Sequence, residues 1–347
     1  MKRHLLFIAA LLIVNLAASA QKKFSVYAVG FYNQENLFDT CHDEGKKDYE
    51  YLPNKGWNGM KYTNKLRNMS KALADMGTDV LPTVGCAFIG LSEVENHKVL
   101  DALVDQAPLK ARNMKYVHIE GPDRRGIDCA LLYNPSLFSV KNVKLLPYVQ
   151  ELAKDSAFFT RGFLTVRGEM AGDDVAVIVC HWPSRFSGPF YRESAARQVK
   201  VIKDSLLNVN QDMKIFVMGD MNDDPVNKSM HVYLQAKPEI SQVGAGDMYN
   251  PWYNVLAKEG KGTLFYSGNW NLFDQIVITP NLLNKDAKKK DYSSLKYWKS
   301  HIFRRDYLIQ QEGQYKGAPL RTTAGGRWLN GYSDHLPVVM YLVKEKK

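Results

Sequence analysis

The stretch Ile215-Phe216-Val217-Met218-Gly219-Asp220-Met221-Asn222 contains the pattern that decides the fold of this chain. Its four leading apolar residues predict a short buried strand. Gly219 predicts a tight turn at the end of that strand, and the turn carries a carboxylate and an amide. Strand ends are exposed on a rigid scaffold, so binding and catalytic side chains are often placed there. The stretch therefore predicts a sheet-based fold with polar chemistry at one edge.

Three other apolar runs are also joined to acids or histidines. They are Ile89-Gly90-Leu91 before Glu93, Val177-Ile178-Val179-Cys180 before His181, and Val338-Val339 after Ser333-Asp334-His335-Leu336-Pro337. Each pattern alone is also typical of an ordinary turn, a helix start or a capping contact. Together with Asp220 and Asn222, they predict one site at one edge of a sheet.

The remaining pattern predicts helices and strands that interleave. Apolar residues three and four apart predict helices over 61–76 and 191–207, and Asn96 predicts the cap of a third helix. Strands are predicted at 24–32, 86–91, 127–133, 158–166, 175–180, 215–218, 275–278 and 338–343. Strands often follow one another without a helix, which favours an α/β or α+β fold over an alternating βα barrel. No Pro/Gly/Ser-rich linker divides residues 21–347, so we expect a single domain.

Residues 1–20 have the pattern of a cleaved secretory signal peptide. Lys2 and Arg3 precede an apolar run over 5–18, and Ala18-Ser19-Ala20 offers small residues at a cleavage site after Ala20. This apolar run is shorter than the ~20 residues that a membrane-spanning helix needs. We expect a secreted or periplasmic protein without stable membrane insertion.

Composition excludes several classes of protein. With 347 residues, 45% hydrophobic content, 24 Gly and 14 Pro, the chain is neither disordered nor collagen-like. The net charge of +10 indicates an anionic partner such as phosphate, nucleic acid or an anionic membrane. Disulfide pairing is left open among Cys41, Cys86, Cys129 and Cys180. The strand-like surroundings of the last two favour buried free thiols.

Five motifs occur together along the chain. They are Tyr32-Asn33-Gln34-Glu35-Asn36-Leu37, Leu91-Ser92-Glu93, Gly219-Asp220-Met221-Asn222, Asn271-Leu272-Phe273-Asp274-Gln275-Ile276 and Ser333-Asp334-His335-Leu336-Pro337. On these motifs, the chain resembles the endonuclease/exonuclease/phosphatase superfamily from residue 32 to residue 342. The resemblance implies a four-layered α/β sandwich, in which two packed mixed β-sheets are flanked by helices. It also implies a divalent metal ion, usually Mg²⁺, with Mn²⁺ or Ca²⁺ as alternatives.

The resemblance implies a metal shell at this edge. Glu93 supplies a hard oxygen ligand of the kind that Mg²⁺ prefers. The residues implied to complete or support that shell are Asn33, Glu35 and Asp334.

The resemblance also implies a set of residues that act on a phosphodiester and on water. His335 is the candidate base or electrostatic partner of the attacking water, and Asp274 holds its tautomer. Asp220 and Asn222 orient the water and bind the phosphoryl oxygens. His181 matches the second histidine of deoxyribonuclease-like members, which disfavours an abasic-site repair enzyme.

Arg125 is a further substrate-binding candidate, and its role does not come from the motifs. An arginine at the start of a strand can clamp phosphate through two hydrogen bonds. The alternative is an ordinary Arg–Asp surface turn, and this alternative stays open.

The segment 285–330 indicates the substrate. It has eleven basic and four acidic residues, so it holds +7 of the +8 that remains after Lys2 and Arg3 leave with the signal peptide. Aromatic residues are interleaved with the basic ones, a combination suited to backbone contact and base stacking. We expect a monomeric nuclease whose substrate is nucleic acid, with Lys288, Lys289 and Lys290 among the substrate-binding residues.

Two alternatives remain open from the sequence. A lipid or small-molecule phosphodiesterase or phosphatase would use an exposed aromatic wedge, for which 186–191 and Trp270 are candidates. A secreted protein that binds polyanions without catalysis is the other alternative. It is disfavoured because the acids, amides and histidines that hydrolysis needs are all present.

Overall fold

The computed structural model describes residues 23–149, 151, 158–286 and 288–346. The predicted signal peptide at 1–20 lies outside the described residues. In chain order the strands are β1 (Phe24–Leu37), β2 (Phe88–Val94), β3 (Lys115–His118), β4 (Asp128–Tyr133), β5 (Phe138–Leu146), β6 (Phe163–Met170), β7 (Asp173–His181), β8 (Lys214–Asp220), β9 (Ala236–Lys237), β10 (Met248–Tyr249), β11 (Leu264–Tyr266), β12 (Asn269–Asn271), β13 (Asp274–Ile278), β14 (Lys296–Ile302), β15 (Thr323–Ala324), β16 (Arg327–Trp328) and β17 (Val338–Glu345). The helices are α1 (Gly59–Asp75), α2 (His97–Val104), α3 (Ala107–Ala111), α4 (Pro189–Val209) and α5 (Trp252–Ala257).

Two large mixed sheets pack face to face. The first has six strands in the order β14-β17-β1-β2-β4-β3, and the second has seven in the order β5-β6-β7-β8-β13-β10-β9. Apolar side chains from both inner faces form the core between them, and Phe88 of the first sheet contacts Phe216 of the second with ring centroids 5.5 Å apart. Burial of this apolar surface is the main stabilising contribution.

Helices cover the outer face of each sheet. Leu66, Met69 and Leu73 of α1 pack with α2 and α3 on the first sheet. Ala195 and Val199 of α4 pack on the second sheet. The expected four-layered α/β sandwich is therefore confirmed.

Strand directions bring several strand ends to one edge. β1 runs parallel to β2, and β7 runs parallel to β8, so the carboxyl ends of these strands face the same way within each pair. β17 is antiparallel to β1 and β13 is antiparallel to β8, so both begin where their partners end. A hydrogen bond of 3.0 Å from Asn33 Nδ2 to Asp220 Oδ2 joins the two sheets at this edge.

Several element boundaries differ from the sequence prediction for local reasons. Helix α1 begins at Gly59, capped by Asn58, and Asn96 caps α2 as expected. The edge strand β5 was not expected, because its polar side chains interrupt the apolar pattern. The basic insertion contributes β14, which pairs along β17 and extends the first sheet.

All four cysteines are free thiols, and Cys129 and Cys180 are buried as the sequence favours. Among the described residues, no helix is both long enough and apolar enough to cross a membrane.

Candidate active site

Gly219 allows strand β8 to lie unusually close to β7 at the edge where the site forms. A Cβ atom at this position would lie 2.2 Å from the carbonyl oxygen of Cys180, so only glycine fits without a backbone shift. The register places Asp220 opposite His181, with Asp220 Oδ2 3.6 Å from His181 Nε2. The glycine thus explains how the strand end brings this carboxylate to the histidine.

Asp274 and His335 form a buried hydrogen-bonded pair beside Asp220. Asp274 is the register partner of Asp220 across β13 and β8, and its Oδ2 lies 2.7 Å from His335 Nδ1. His335 Nε2 is left facing Asp220 Oδ2 at 3.9 Å and Asp334 Oδ1 at 3.8 Å. Because Nδ1 of His335 is engaged by Asp274, Nε2 is the nitrogen of this side chain that is available to a reacting group.

The two histidines have opposite electrostatic character. Burial disfavours the charged form of His335, but the carboxylates of Asp274, Asp334 and Asp220 outweigh burial and raise the pKa well above its usual value. Burial, with the nearby cations Arg161 and Arg125, lowers the pKa of His181 well below its usual value. Environments that separate the pKa values of two like groups are typical of acid–base sites.

The acid Asp220 is also perturbed. Burial raises the pKa of Asp220 to about 7, with the Asp274 and Glu93 carboxylates adding to the shift and His335 opposing it. The buried atoms Asp274 Oδ1 and His181 Nδ1 have no hydrogen-bond partner. Unsatisfied polar atoms and shifted pKa values in one cluster indicate a functional site.

Backbone conformation marks the same edge. Glu35, Asn36, Glu93 and Asn222 are non-glycine residues with φ of 44°, 60°, 60° and 50°. Left-handed conformations are unfavourable for such residues and cluster at functional sites. The backbone is therefore strained in three of the sequence motifs, at the edge where these motifs meet.

Asn222 is held in place by main-chain contacts. Its Nδ2 donates to the Trp182 carbonyl at 3.0 Å, and its N–H donates to Asp220 Oδ1 at 2.9 Å. Arg185 Nε donates to the Asn222 carbonyl at 3.2 Å, which ties the loop after β7 to the loop after β8. The motif therefore has a fixed orientation beside the cluster of Asp220, Asp274 and His335.

Arg125 reaches the site from the loop before β4. Its guanidinium donates to Asn36 Oδ1 and lies 3.8 Å from Glu93 Oε2, and its side chain is half exposed. Arg124 instead lies over the ring of Phe159 at 5.0 Å. Arg125, not Arg124, is thus placed where a phosphate could be clamped.

Arg321 and Lys65 belong to the site and are absent from the sequence prediction. Arg321 bridges Glu35 Oε1 at 3.3 Å and Asp334 Oδ2 at 3.1 Å, and Thr322 N–H donates to Glu35 Oε2 at 2.6 Å. Lys65 Nζ, fully buried on α1, donates to Thr322 Oγ1 at 2.5 Å and to the Tyr332 carbonyl at 2.6 Å. Burial and the Asp334 carboxylate raise the pKa of Glu35 to about 7.

A family model described as the endonuclease/exonuclease/phosphatase family matches residues 28–344. The chain belongs to this family. Members of the family hydrolyse phosphoric esters and generally use divalent metal ions. No curated protein matches the chain by sequence.

Solved structures with the same fold come from several organisms. TDP2 from D. rerio, complexed with a single-strand DNA product, is 12% identical, with 92% of this chain and 99% of that chain covered and a TM-score of 0.53. A mannosyl-6-phosphatase from Bacteroides thetaiotaomicron is 14% identical, with 91% and 99% covered and a TM-score of 0.53. A family protein from the same bacterium is 14% identical, with 93% and 97% covered and a TM-score of 0.54. At these identities the similarity establishes the fold.

The residues at the edge fit the divalent ion that the family uses. Among the described residues, no three His, Cys, Asp or Glu side chains converge tightly enough to enclose an ion by themselves. Mg²⁺ is commonly held by one or two carboxylates plus waters, however, and Glu93 and Asp334 are both partly exposed. Burial is the main cause of the raised pKa values of Glu35 and Asp220, and neighbouring carboxylates add to it, so a nearby cation would favour the charged form of both groups. Glu93, Asn33 and Asp334 would hold the ion, with Glu35 behind them.

The structure does not bring Lys288, Lys289 and Lys290 to the site. The segment that follows these lysines lies at the far end of β17, where the carbonyl of Tyr292 accepts a hydrogen bond from the N–H of Glu345, the last residue of that strand. His335 lies at the opposite end, just before the first residue of β17. The first and last of the eight residues of β17 are seven steps apart, which is about 23 Å at ~3.3 Å per step. These lysines precede β14 at the far end of β17, because the insertion runs along the sheet edge before it returns to the site, and their contact with substrate stays a prediction.

Proposed function

We propose that this protein is a secreted, Mg²⁺-dependent phosphodiester hydrolase with nuclease activity. The observation that carries the proposal is the buried cluster of His335, Asp274, Asp220 and His181, with Asn222 beside it. Mn²⁺ or Ca²⁺ are the alternative ions. The family accounts for hydrolysis of phosphoric esters, whereas secretion, the choice of Mg²⁺ and the preference for nucleic acid are proposed here.

His335 acts as the base in the proposed reaction. A water oxygen forms a bond to phosphorus as the ester P–O bond breaks, and a proton of that water passes to His335 Nε2. Asp274 stabilises the imidazolium through the hydrogen bond at Nδ1. A divalent ion, when bound, supplies charge neutralisation for the phosphoryl and leaving oxygens.

The neighbouring side chains position the substrate. Asn222 and Arg125 carry N–H groups that can donate to phosphoryl oxygens, which a further carboxylate would repel. His181 is buried and its pKa is low, so it is a neutral donor or acceptor at physiological pH. Asp220 holds Asn33 and faces both histidines, which supports a role in orienting the water.

A metal-dependence assay tests the proposal. The chain from residue 21 onward, stripped with EDTA, is assayed on bis(4-nitrophenyl) phosphate and supercoiled DNA with and without Mg²⁺, Mn²⁺ or Ca²⁺. We expect metal-dependent cleavage of both, and a kcat that falls at least about 100-fold in His335→Ala and Asp220→Ala. Asp79→Asn is the matched control, because it alters a His–Asp pair on β14 outside the cluster.

Two results would count against the proposal. Near-wild-type turnover in both site variants would mean that another group activates the water. Hydrolysis of neither substrate with any of the ions would remove the phosphodiesterase assignment itself.

A second candidate is a lipid or small-molecule phosphodiesterase or phosphatase. It is favoured by one observation: Phe186, on the loop between β7 and α4, is fully exposed close to Arg185 and the Asn222 loop. Exposed aromatic side chains suit a membrane surface or an apolar substrate. Sphingomyelin vesicles, inositol phosphates and sugar phosphates, assayed beside DNA and RNA, separate this candidate from a nuclease.

Export is proposed from the signal-peptide pattern. The expected result is a chain that begins at Gln21 when the protein is isolated from the periplasm or the medium, as measured by intact mass or N-terminal sequencing. Recovery of the chain with residues 1–20 attached, in the cytoplasm alone, would contradict it.

A further inference from the structure

Two adjoining cavities form a groove that begins at the catalytic edge. One is about 650 Å³ and is lined by Asp334 and Arg321, and the other is about 540 Å³ and is lined by Leu336. Phe265 and Tyr315 line both cavities, so the two adjoin. Each volume alone lies within the ~300–1,000 Å³ of a small-ligand pocket, and together they exceed that range. The groove thus has room for more than a single phosphoester group.

The walls of the groove are fixed to the catalytic segment. One wall is the β11–β12 hairpin, where Leu264 pairs with His335 and Leu336 N–H donates to the Thr263 carbonyl at 2.8 Å. The other wall is the loop 313–318 of the insertion, in which Gly317 N–H donates to the Gln310 carbonyl at 2.8 Å. Ligand bound in the groove would therefore be held at a defined position relative to His335.

A glycine sets the shape of the second wall. Gly317 has a φ of +87°, and a Cβ at this position would lie 3.2 Å from an Arg304 guanidinium nitrogen. The positive φ needs glycine, and the missing side chain lets Arg304 lie against the loop. Arg304 also lies over the ring of Trp270 at 6.0 Å. The guanidinium is thus held at the groove rather than released into solvent.

The lining combines positive charge with exposed aromatic rings. Four basic side chains line the groove against two acids: Lys261, Arg304, Lys316 and Arg321 against Glu259 and Asp334. Tyr266 is 68% exposed and Tyr315 is 53% exposed, although both are large aromatic residues. Phosphates pair with the basic groups, and the exposed ring faces are available for stacking. This chemistry matches a nucleotide strand.

We propose that this groove binds the single strand that flanks the scissile phosphodiester, with bases stacked on Tyr315 and Tyr266 and phosphates paired with Arg304 and Lys316. The inference rests on the proposed nuclease function and extends it to a substrate class. A duplex keeps its base faces stacked on one another, so the tyrosine rings cannot reach them. Single-stranded DNA or RNA, and not duplex, is the ligand.

Equilibrium binding tests the groove separately from catalysis. Fluorescence anisotropy is measured with fluorescein-labelled 12-nucleotide DNA and RNA, and with the matching duplexes, in EDTA so that no hydrolysis occurs. The variants are Tyr315→Ala and Lys316→Glu, both on an exposed loop. The matched control is the double variant Lys288→Glu/Lys289→Glu, which reverses exposed charges in the segment before β14.

We expect single strands to bind with a Kd at least about tenfold lower than duplex, and Tyr315→Ala to raise that Kd about tenfold. Lys316→Glu should raise the Kd for single strands further at low salt and make this Kd less dependent on salt. The Lys288→Glu/Lys289→Glu control should raise the Kd less than Lys316→Glu does. Equal Kd values for the groove variants and wild type, or tighter binding of duplex, overturn the inference.

Activity on bis(4-nitrophenyl) phosphate separates failure of the groove from failure of the proposed function. This substrate is too small to occupy the groove, so kcat/KM should stay within about twofold in both groove variants. Loss of oligonucleotide binding with this activity kept supports the groove. Normal hydrolysis of the small substrate with unaltered oligonucleotide binding overturns the groove and leaves the hydrolase assignment standing.

Discussion

Asp274→Asn is the change that tests the catalytic cluster most directly. Asparagine keeps the size of the side chain and an oxygen that can accept from His335 Nδ1, but it removes the buried negative charge 2.7 Å away. A base must be unprotonated, and the high pKa of His335 predicts that kcat/KM rises with pH through that pKa. At a pH above that pKa the variant should be slower, because the imidazolium formed in the reaction has lost its charged partner, and the acidic limb of its pH profile should move to lower pH.

The size of the effect follows from the charge separation. A hydrogen-bonded imidazolium and carboxylate have charge centres about 4 Å apart, and their attraction is about 4 kcal/mol at an effective dielectric of ~20. This corresponds to about a thousandfold in rate if the imidazolium forms only in the transition state. Because Asp334 and Asp220 also face His335, we expect a loss of about 100- to 1,000-fold in kcat.

The assay is a pH–rate profile on bis(4-nitrophenyl) phosphate at saturating divalent metal. Asp79→Asn is the matched control, because Asp79 pairs with His301 at 3.0 Å on β14 and should leave both the rate and the acidic limb unchanged. The reasoning is refuted if Asp274→Asn keeps more than about a third of the wild-type kcat with an unmoved acidic limb.

Three further predictions concern stability. Lys65→Met should lower the free energy of unfolding by about 3 kcal/mol, because it removes the donor to Thr322 Oγ1 and the Tyr332 carbonyl and one of the two cations, with Arg321, that favour ionised Glu35, and Glu35→Gln should restore part of the loss in a thermal or urea unfolding cycle. Gly219→Ala should cost about 1–3 kcal/mol or more in the same assay, since its Cβ would meet a carbonyl oxygen of β7 at 2.2 Å. The pKa of Asp220 is raised in the folded chain to about 7 from 3.8, so the folded chain holds this proton more tightly. Its stabilising contribution is present at low pH and is lost as pH rises through about 7, and Asp220→Asn should flatten this dependence in urea titrations with EDTA at pH 5 and pH 8.

The fold was predictable where a local pattern is strong. Strand β8 carries an uninterrupted apolar run and helix α1 a regular apolar stripe, so both were predicted within two residues of their bounds. Strands β5 and β14 lie at sheet edges, where polar side chains face solvent and the apolar pattern fades. Neither was expected, because only tertiary pairing defines them.

The site was predictable in its motifs and less so in its connections. The residues at the carboxyl ends of β1, β2, β7 and β8 meet because of strand direction, and their motifs had predicted one site at one edge of a sheet. Lys65 was missed, yet it lies four residues before Met69 and so shares the buried stripe of α1, which was the available signal. Arg321 offered no such signal, because it is one of eleven basic residues in the insertion and only the folded loop brings it to Glu35.

The insertion shows why its net charge of +7 could not locate the substrate. Strand β14 carries the chain along β17, so basic residues before it lie at the far end, whereas Arg321, which follows it, contacts Asp334. The net charge of the insertion adds the two groups together. They are separated by about the length of β17, about 23 Å, and the Debye length at physiological salt is only about 8 Å, so each group is screened from the other. The two groups therefore act as separate surfaces. Only the one that follows β14 can contribute directly to binding at the catalytic edge, and this is the physical basis for contrasting Lys316 with Lys288 in the binding experiment.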